Sequence, residues 1–439
     1  MAMVNQYVPG REGDLDPRDI ELIRRRQKLL GPAYRLFYEQ PLHIVRGEGV
    51  WLYDRDGKAY LDVYNNVASV GHCHPHVVEA LSKQAAVLNT HTRYLHETIV
   101  DYAEKLLAKF PPALQHVMFT CTGSEANDLA IRIARSYTRG KGVIVTKLAY
   151  HGLTIAISEL SPSLGDYVER GEHVRLVPAP DTYRIEGDVG AAFAAGVKQA
   201  IADMQAKGIQ PCALLVDGIF SSDGVFPGEP GFLKEAVAAI RAAGGIFIAD
   251  EVQPGFARVG PQWWGFARHD LVPDMVTIGK PMGNGHPIAA AIMQPHIVAE
   301  FGAKSRYFNT FGGNPVSCAV GRAVLEVIEA EGLAENAGKV GAYMLDGLNK
   351  LAQKHEIIGD VRGAGLFLGL EFVKDRKTKE PLAVAATHVV NDLRRRRVLI
   401  SATGPGANVL KIRPPLVFTQ EHADIFLDAM EKAVASFKG

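Results

Sequence analysis

The chain has few of the features that mark secreted, metal-stapled or nucleic-acid-binding proteins. Only four of its 439 residues are cysteines, and none of them form closely spaced pairs. This argues against a disulfide framework or a zinc site and favours reduced thiols. Neither charge is in excess, since 48 Lys and Arg balance 48 Asp and Glu. A nucleic-acid binder would show a basic excess, so we expect no nucleic-acid partner.

Long apolar runs are missing as well. No segment offers roughly 18 uninterrupted apolar residues, so we expect no membrane span and no membrane partner. The first residues have no apolar core flanked by basic residues, which argues against a signal peptide and leads us to expect a cytoplasmic protein. With 47% hydrophobic and 22% charged residues, the chain can still bury a large core. Composition therefore indicates a globular protein but no particular activity.

Short apolar runs alternate with helical patterns through the middle of the chain. Strands are predicted at 117–119, 142–146, 213–216, 246–249, 275–278 and 289–293. Helices are predicted at 77–88, 97–109, 124–138, 196–207 and 231–243. This alternation is typical of a largely parallel sheet covered by helices on both faces, so we expect an α/β fold. A hairpin around the turn at Asp56 and Gly57 precedes this region.

Three segments are predicted from the order of these elements. A large α/β domain is expected at 71–325, where strands and helices alternate. The C-terminal segment, 326–439, is expected to form a small α+β domain. The N-terminal segment with the hairpin, 1–70, is expected to join that small domain.

Lys280 and Asp250 are the strongest candidates for chemistry. Asp250 ends an apolar run at the carboxyl end of a predicted strand, where ligands bind in open α/β sheets. Lys280 lies in a Gly-rich turn that also follows a predicted strand. A lysine can bind an aldehyde cofactor as a Schiff base, and a carboxylate can keep the cofactor's ring nitrogen protonated. A lone Asp is as often a helix cap, and a lone Lys is usually a surface charge. The two together favour a site for pyridoxal 5'-phosphate (PLP).

A PLP site also needs an anion site for the phosphate and an aromatic side chain against the ring. Gly123 and Ser124 follow a predicted strand and open a helix, so their N–H groups, the hydroxyl and the helix dipole suit a phosphate. Ser124 could equally be a plain helix N-cap. Tyr150 follows another predicted strand and is the candidate for covering the ring, although aromatic residues in such loops often serve only packing.

The motifs that contain these residues resemble those of class III (omega-type) PLP-dependent aminotransferases. The resemblance runs from about residue 44 to residue 418, with motifs in the family's order: Thr122-Gly-Ser-Glu-Ala-Asn127, Tyr150-His-Gly152, Asp250-Glu-Val-Gln253, Gly279-Lys280 and Thr310-Phe-Gly-Gly-Asn-Pro315. It implies PLP fold type I, with a mostly parallel central sheet in the PLP-binding large domain and a smaller α+β domain. It also implies a homodimer with shared active sites, and it leaves open whether dimers pair into tetramers.

The resemblance also implies a role for each candidate residue. Lys280 is expected to form the Schiff base and to move a proton between substrate and cofactor, while Asp250 pairs with the pyridinium nitrogen. The resemblance implies that Gly123 and Ser124 bind the cofactor phosphate, that Tyr150 and Val252 contact the two faces of the ring, and that Gln253 lies near the 3'-oxygen. It further implies that Thr310 reaches the phosphate of the cofactor in the partner subunit and that Arg413 binds the substrate carboxylate.

The implied activity is transfer of an amino group from an amine or amino acid to a keto acid or aldehyde by a ping-pong mechanism. Segments 65–75, 92–97 and 279–287 also resemble phosphoethanolamine and phospho-hydroxylysine phospho-lyases, carbon–oxygen lyases that eliminate phosphate. Elimination of phosphate is therefore the alternative activity. Asp217 stands where the family usually has Glu, which leaves the local hydrogen bonding and the substrate preference open.

Other conspicuous features receive a structural interpretation. His72, His74 and His76 lie in a turn without supporting carboxylates, so we expect turn residues and no metal site. The run 394–397, four arginines, is interpreted as an exposed helix face. Loss of the lysine and aspartate pair would indicate a non-catalytic member of the fold, but both residues are present. A nicotinamide dehydrogenase would need a dinucleotide fingerprint, which the chain lacks.

Overall fold

The computed structural model describes residues 5–10 and 15–438. The strands, in chain order, are β1 Ile44–Glu48, β2 Trp51–Asp54, β3 Ala59–Asp62, β4 His116–Thr120, β5 Gly142–Thr146, β6 Val174–Val177, β7 Pro211–Val216, β8 Ile246–Asp250, β9 Met275–Ile278, β10 Ala289–Met293, β11 Ile358–Ala364, β12 Phe367–Phe372, β13 Val398–Leu399, β14 Ser401–Thr403 and β15 Val409–Ile412. The α-helices are α1 Pro17–Leu30, α2 Pro75–Ala85, α3 Glu97–Leu107, α4 Gly123–Thr138, α5 Ile155–Ser158, α6 Val189–Ala206, α7 Lys234–Ala242, α8 Pro295–Lys304, α9 Pro315–Ala330, α10 Leu333–Lys354, α11 Ala383–Arg395 and α12 Gln420–Ala435. Short 3₁₀ helices cover Pro162–Leu164, Gly265–His269 and Lys280–Gly283.

The largest sheet has seven strands in the order β4-β10-β9-β8-β7-β5-β6. Strand β10 runs antiparallel to both of its neighbours, and the other strands are parallel. Both faces are buried, so the strands are nearly continuous apolar runs. In β8, Phe247 and Ala249 enter one core cluster while Ile246 and Ile248 enter the other, on the opposite face. The predicted α/β fold with a mostly parallel central sheet is confirmed.

The predicted strands and helices of the large sheet are present: β5, β9 and β10 match the prediction at both ends, and the other elements have shifted ends. The helix predicted at 196–207 begins earlier, at Val189, because the Asp188 side chain accepts a hydrogen bond from the N–H of Ala191 and caps it. The helix predicted at 77–88 begins at Pro75, a residue suited to the first helical position. Strand β6 was not predicted because it is a short edge strand with only its end residues buried.

Two smaller sheets contain the remaining strands. One has the order β1-β2-β3-β13, in which β13 pairs in parallel with β3 and so joins the predicted N-terminal hairpin to a strand near the C-terminus. The other has the order β11-β12-β15-β14 and is antiparallel throughout. The division of the chain at residues 70 and 325 stays a prediction. No helix among the described residues is long and apolar enough to cross a bilayer.

The three closely spaced histidines do have carboxylate partners, so that part of the sequence interpretation was wrong. Each histidine binds a different acid: His72 binds Asp62 at 2.7 Å, His74 binds Glu331 at 2.9 Å and His76 binds Glu326 at 2.8 Å. The last two pairs join the start of α2 to α9. Nowhere in residues 5–10 and 15–438 do three His, Cys, Asp or Glu side chains form a group that could hold a metal ion.

The arginine run is only partly an exposed helix face. Helix α11 ends at Arg395, and Arg395 and Arg396 pair with Asp392 at 3.2 Å and 2.6 Å. Arg394 is half-buried and donates to the side-chain oxygen of Gln40. The interpretation therefore fails for Arg394, which connects α11 to the N-terminal segment.

Two glycines on α10 provide a test of how closely this helix packs against the turn between β11 and β12. A Cβ on Gly341 would lie 2.0 Å from the carbonyl oxygen of Gly365, whereas a Cβ on Gly338 would have no neighbour closer than 3.8 Å. We expect Gly341→Ala to lower the free energy of unfolding by about 1–3 kcal/mol, because the backbone at Gly365 or that of α10 must move to make room for the methyl group. Gly338→Ala should be neutral or stabilising by up to about 1 kcal/mol, because Ala favours helix. Urea unfolding measures the free energy of unfolding of both variants. Equal changes in the two variants would contradict the close contact at Gly341.

Candidate active site

The carboxyl edge of the main sheet holds a cavity of about 180 Å³. It is lined by Gly123, Ser124, Tyr150, His151, Gly152, Asp217, Asp250, Val252, Gln253 and Lys280. The lining residues follow the carboxyl ends of strands β4, β5, β7, β8 and β9, which parallel pairing brings to one edge. All the predicted site residues except Thr310 and Arg413 are in this lining. A larger cavity beneath α1, of about 400 Å³, has no lysine in its lining.

Asp250 is a buried carboxylate held by three hydrogen bonds. Only 4% of the residue is exposed. Its Oδ2 accepts hydrogen bonds from Asn127 Nδ2 at 3.0 Å and from His151 Nδ1 at 2.7 Å, and its Oδ1 accepts one from the N–H of Val252 at 3.0 Å. A buried carboxylate is stable only when such donors replace its lost water. These bonds hold the carboxylate in one orientation at the end of β8.

The donors to Asp250 are themselves fixed. Asn127 Nδ2 also donates to the carbonyl of His151 at 2.8 Å, and Asn127 Oδ1 accepts from Thr277 Oγ1 at 2.7 Å. In the sequence, Asn127 and His151 stand out only as parts of motifs, and Thr277 has no distinguishing pattern. The i, i+4 spacing of Gly123 and Asn127 on one helix face was the signal that could have placed Asn127 at the cavity.

The N-terminus of α4 faces the cavity with free donors. Thr122 is the N-cap and forms a capping box with Glu125, so the alternative interpretation of Ser124 as the cap was wrong. Within the described part of the chain, the N–H groups of Gly123 and Ser124 have no hydrogen-bond partner. The Ser124 hydroxyl accepts from the N–H of Leu153 at 3.1 Å. This helix end therefore suits a phosphate.

Two glycines bring the loops around the cavity into close contact. A Cβ on Gly123 would lie 2.9 Å from Val252 Cγ1. A Cβ on Gly152, whose φ is +140°, would lie 2.7 Å from the Cα of Ser124. A side chain at position 123 would displace the Val252 side chain, and one at position 152 would displace the backbone of Ser124, so the spacing of the cavity walls depends on both glycines.

Lys280 opens a 3₁₀ helix directly after β9, with φ at +29°. A positive φ is rare for a residue with a side chain and marks strain of a kind concentrated at functional sites. Its Nζ lies 5.9 Å from the centroid of the Tyr150 ring. Burial lowers the pKa of Lys280 to about 8, assisted by the positive charge of Arg413 and opposed by Asp250 and Asp217. A lysine with this pKa has a substantial neutral, nucleophilic fraction near pH 8.

A chain of hydrogen bonds joins Arg413 to Asp217 along one side of the cavity. Arg413 donates to Gln253 Oε1, Gln253 Nε2 donates to Ser221 Oγ at 2.8 Å, and Ser221 donates to the Asp217 carboxylate. Asp217 also accepts the N–H groups of Ile219 and Ser221, at 2.9 Å and 3.0 Å. Asp217 thus turns its carboxylate toward its own loop. Asp217 stands where the family usually has Glu, and these bonds show its local hydrogen bonding, which the sequence had left open.

Arg413 and Thr310 lie outside the lining, for different reasons. Arg413 is 7% exposed and stacks over Tyr64, with Cζ 4.4 Å from the ring centroid, while it reaches the cavity through Gln253. Thr310 lies on an exposed loop between α8 and α9, away from the cavity of its own chain. Its implied contact with the partner subunit stays a prediction.

These features fit PLP. The cavity combines a partly neutral lysine, a firmly held buried carboxylate, free N–H groups at a helix N-terminus and an aromatic side chain. Together with the parallel sheet they define a PLP enzyme of fold type I. Residues 37–434 match the family model described as aminotransferase class-III, and the chain belongs to this PLP-dependent family.

The chain is similar along most of its length to proteins of more than one activity. It is 44% identical to an alanine–glyoxylate aminotransferase 2-like protein of Drosophila melanogaster, over 93% of this chain and 85% of that protein. It is 38% identical to ethanolamine-phosphate phospho-lyase homolog 1 of Caenorhabditis elegans, over 92% and 90%. The solved structure of an Arthrobacter phospholyase in complex with phosphoethanolamine superposes with a TM-score of 0.92 at 44% identity, covering 95% of this chain and 100% of that one.

The lowered pKa of Lys280 predicts how the PLP-free protein captures PLP. Capture requires the unprotonated amine, so we expect its rate to reach half-maximum near pH 8, not near 10.5, the ordinary lysine value. Asp250→Asn removes a negative charge that raises this pKa, so the midpoint should fall further. Borohydride trapping followed by mass spectrometry at each pH measures the rate. A midpoint near 10 in the wild type would show that Lys280 is not desolvated.

Proposed function

We propose that the chain transfers an amino group from an amine or amino acid to a keto acid or aldehyde in a ping-pong cycle. The observation that carries this proposal is the placement of Lys280 and Asp250 in one cavity of a class III aminotransferase fold. PLP, when bound, supplies an electron sink for the pair left on the substrate's Cα after proton removal. Residues of this chain would bind and orient the cofactor and substrate and would transfer the protons.

Lys280 and Asp250 would handle protons at opposite ends of the cofactor. Lys280 would anchor PLP covalently and, once the substrate amine has displaced it, take the proton from the substrate Cα as a general base. Its pKa of about 8 suits a base that works near neutral pH. Asp250, oriented by Asn127 and His151, would hold the proton on the ring nitrogen.

The remaining candidates would position cofactor and substrate. Gly123 and Ser124 would donate their free N–H groups to the phosphate, and Tyr150 and Val252 would contact the ring. Arg413 would take the carboxylate of an amino acid or keto acid, as an arginine can donate two parallel hydrogen bonds to a carboxylate.

We also propose a cytoplasmic homodimer in which Thr310 completes the active site of the partner subunit. The loop of Thr310 supports this, because it exposes Phe311 by 67% and Phe308 by 38%. Tyr94 is exposed by 67% and stacks on His91, whose ring also meets Phe308 edge-on. An exposed aromatic cluster of this kind is typical of a surface that pairs with another protein. The four free cysteines support a reducing compartment.

Elimination of phosphate is a second candidate activity. It is supported by the similarity to a phospho-lyase homolog and to a phospholyase structure that contains phosphoethanolamine. The first step would be shared, since Lys280 would again remove a proton from the amine-bearing carbon. The electron pair left behind would then break the neighbouring C–O bond and release phosphate, so no keto acid would be needed.

An amine panel distinguishes the two reactions. We expect the PLP-loaded protein, mixed with L-alanine or a simple aryl-alkylamine and no acceptor, to lose the visible absorption of its cofactor and to stop after one half-reaction. Under elimination, O-phosphoethanolamine would instead be consumed continuously, with free phosphate released and the original absorption retained. Absorption spectra and a phosphate assay report each result. If the protein reacts with none of these amines, both candidate reactions are ruled out for the substrates in the panel.

A lysine substitution pair tests the assigned base. Lys280→Ala should reduce turnover of every active amine by more than about a thousandfold, because covalent anchoring and proton transfer are both lost. Lys350→Ala removes an exposed lysine that pairs with Asp346 on α10, and it should leave turnover unchanged. Near wild-type activity in Lys280→Ala, with a normal unfolding temperature, would rule out the mechanism.

A further inference from the structure

One side chain joins two segments that the sequence singled out, residues 65–75 and 279–287. Asn284 Oδ1 accepts a hydrogen bond from the N–H of Val70 at 3.0 Å, and its Nδ2 donates to the carbonyl of Gly71 at 2.8 Å. Val70 and Gly71 are both buried. The two bonds therefore tie the loop after β9 to a stretch of backbone inside the protein.

The backbone that Asn284 binds is itself held on both sides. Just before it, the carbonyl of Ser69 accepts a hydrogen bond from the N–H of Leu416 at 2.7 Å. Just after it, His72 and Gly49 exchange two backbone hydrogen bonds, at 2.7 Å and 3.1 Å. These bonds connect the stretch to two other parts of the chain, so it can serve as a fixed anchor.

Asn284 closes the short turn that Lys280 begins. Lys280–Gly283 is a 3₁₀ helix of four residues, and Asn284 ends it in the left-handed conformation, with φ at +48°. The carbonyl of Pro281 accepts from the N–H of Asn284 at 3.1 Å and from the hydroxyl of Ser69 at 3.3 Å. Asparagine is one of the few residues with a side chain that adopt this conformation readily. Asn284 therefore both ends the turn and anchors it.

The backbone of Lys280 needs support from both sides because its φ is +29°. A residue in such a strained conformation persists only where the surrounding structure imposes it. On the N-terminal side, strand β9 is paired with both β8 and β10. On the C-terminal side, a 3₁₀ turn has poor hydrogen-bond geometry of its own. The buried Pro281 and Met282 add packing that has no direction, so the bonds of Asn284 fix how the turn is oriented.

We infer that Asn284 is a positioning residue that keeps the Lys280 amine pointed into the PLP cavity. Asn284 does not line that cavity, so it acts on the lysine through the backbone of the turn. Without its two side-chain bonds the turn would shift, and a displacement of about 1 Å can slow a reaction about 100-fold. This role rests on the proposed function, in which Lys280 is the residue that binds PLP.

Capture of PLP by the PLP-free protein tests this role without turnover. Borohydride trapping at a series of PLP concentrations gives the maximum rate of attachment to Lys280 and the PLP concentration at half that rate. Asn284→Gly removes both side-chain bonds but still allows the left-handed backbone. We expect its maximum rate to fall about 10- to 100-fold, because the amine meets the aldehyde less often in a reactive orientation. The half-saturating concentration should change less than about threefold, because the N–H groups at the start of α4 are unaltered.

Two further variants separate positioning from general stability. Asn284→Asp should recover part of the lost rate, because its carboxylate can still accept the N–H of Val70 and aspartate tolerates the left-handed conformation. Asn391→Ala is the matched control. Asn391, in α11, also accepts a backbone N–H, that of Glu39 at 3.0 Å, and donates to a backbone carbonyl, that of Thr387 at 2.9 Å. Its loss should lower the unfolding temperature and leave both kinetic constants at their wild-type values.

Capture at the wild-type rate by Asn284→Gly would mean that Asn284 only stabilises the fold, and would overturn the inference. An equal loss of rate in Asn391→Ala would also overturn it, as would a higher half-saturating concentration at an unchanged maximum rate. If Asn284→Gly does not fold, Asn284→Asp decides: a rate below the wild type supports the role, and a wild-type rate overturns it. A wild type that captures no PLP at Lys280 would refute the proposed function itself.

Discussion

The burial of the Asp250 carboxylate is the constraint on which the rest of the site depends. A charge at the end of a fully apolar strand is tolerated only because donors arrive from three directions: helix α4, the loop after β5 and its own backbone. Asn127 and His151 are therefore structural and functional at once. They stabilise the sheet edge against an unpaired charge, and they fix the one acid that would meet the cofactor ring.

The charges around Lys280 act on its pKa in opposite directions. The two acids that act on Lys280 are both satisfied by the protein, Asp250 by its three donors and Asp217 by its own loop. Burial is the main cause of the lowered pKa of Lys280, and the positive charge of Arg413 adds to it, whereas the two acids act in the opposite direction. The lysine is therefore activated by its removal from water and not by a net positive field.

Sequence reasoning recovered the parts of the molecule that follow from local pattern. Apolar runs at the buried strands predicted the central sheet, and residues directly after them, such as Asp250 and Lys280, could be assigned to its carboxyl edge. It did not recover partners that depend on tertiary contacts. The acids bound to the three histidines are Asp62 at the end of β3, Glu326 in α9 and Glu331 just after α9, and no local pattern marks them as partners. The edge strand β6 was missed because its sequence has no continuous apolar run.

The bonds around Asp250 have a consequence for how the protein matures. Asn127 is 123 residues from Asp250 in sequence, and His151 is 99 residues from it. Strand β9 must then be in place before Lys280 can face the acid. Because these contacts join parts of the chain that are far apart in sequence, no single segment can form the pocket alone. The yellow colour of a bound PLP would therefore report that helix α4, the loop after β5 and strands β8 and β9 have come together in the same molecule.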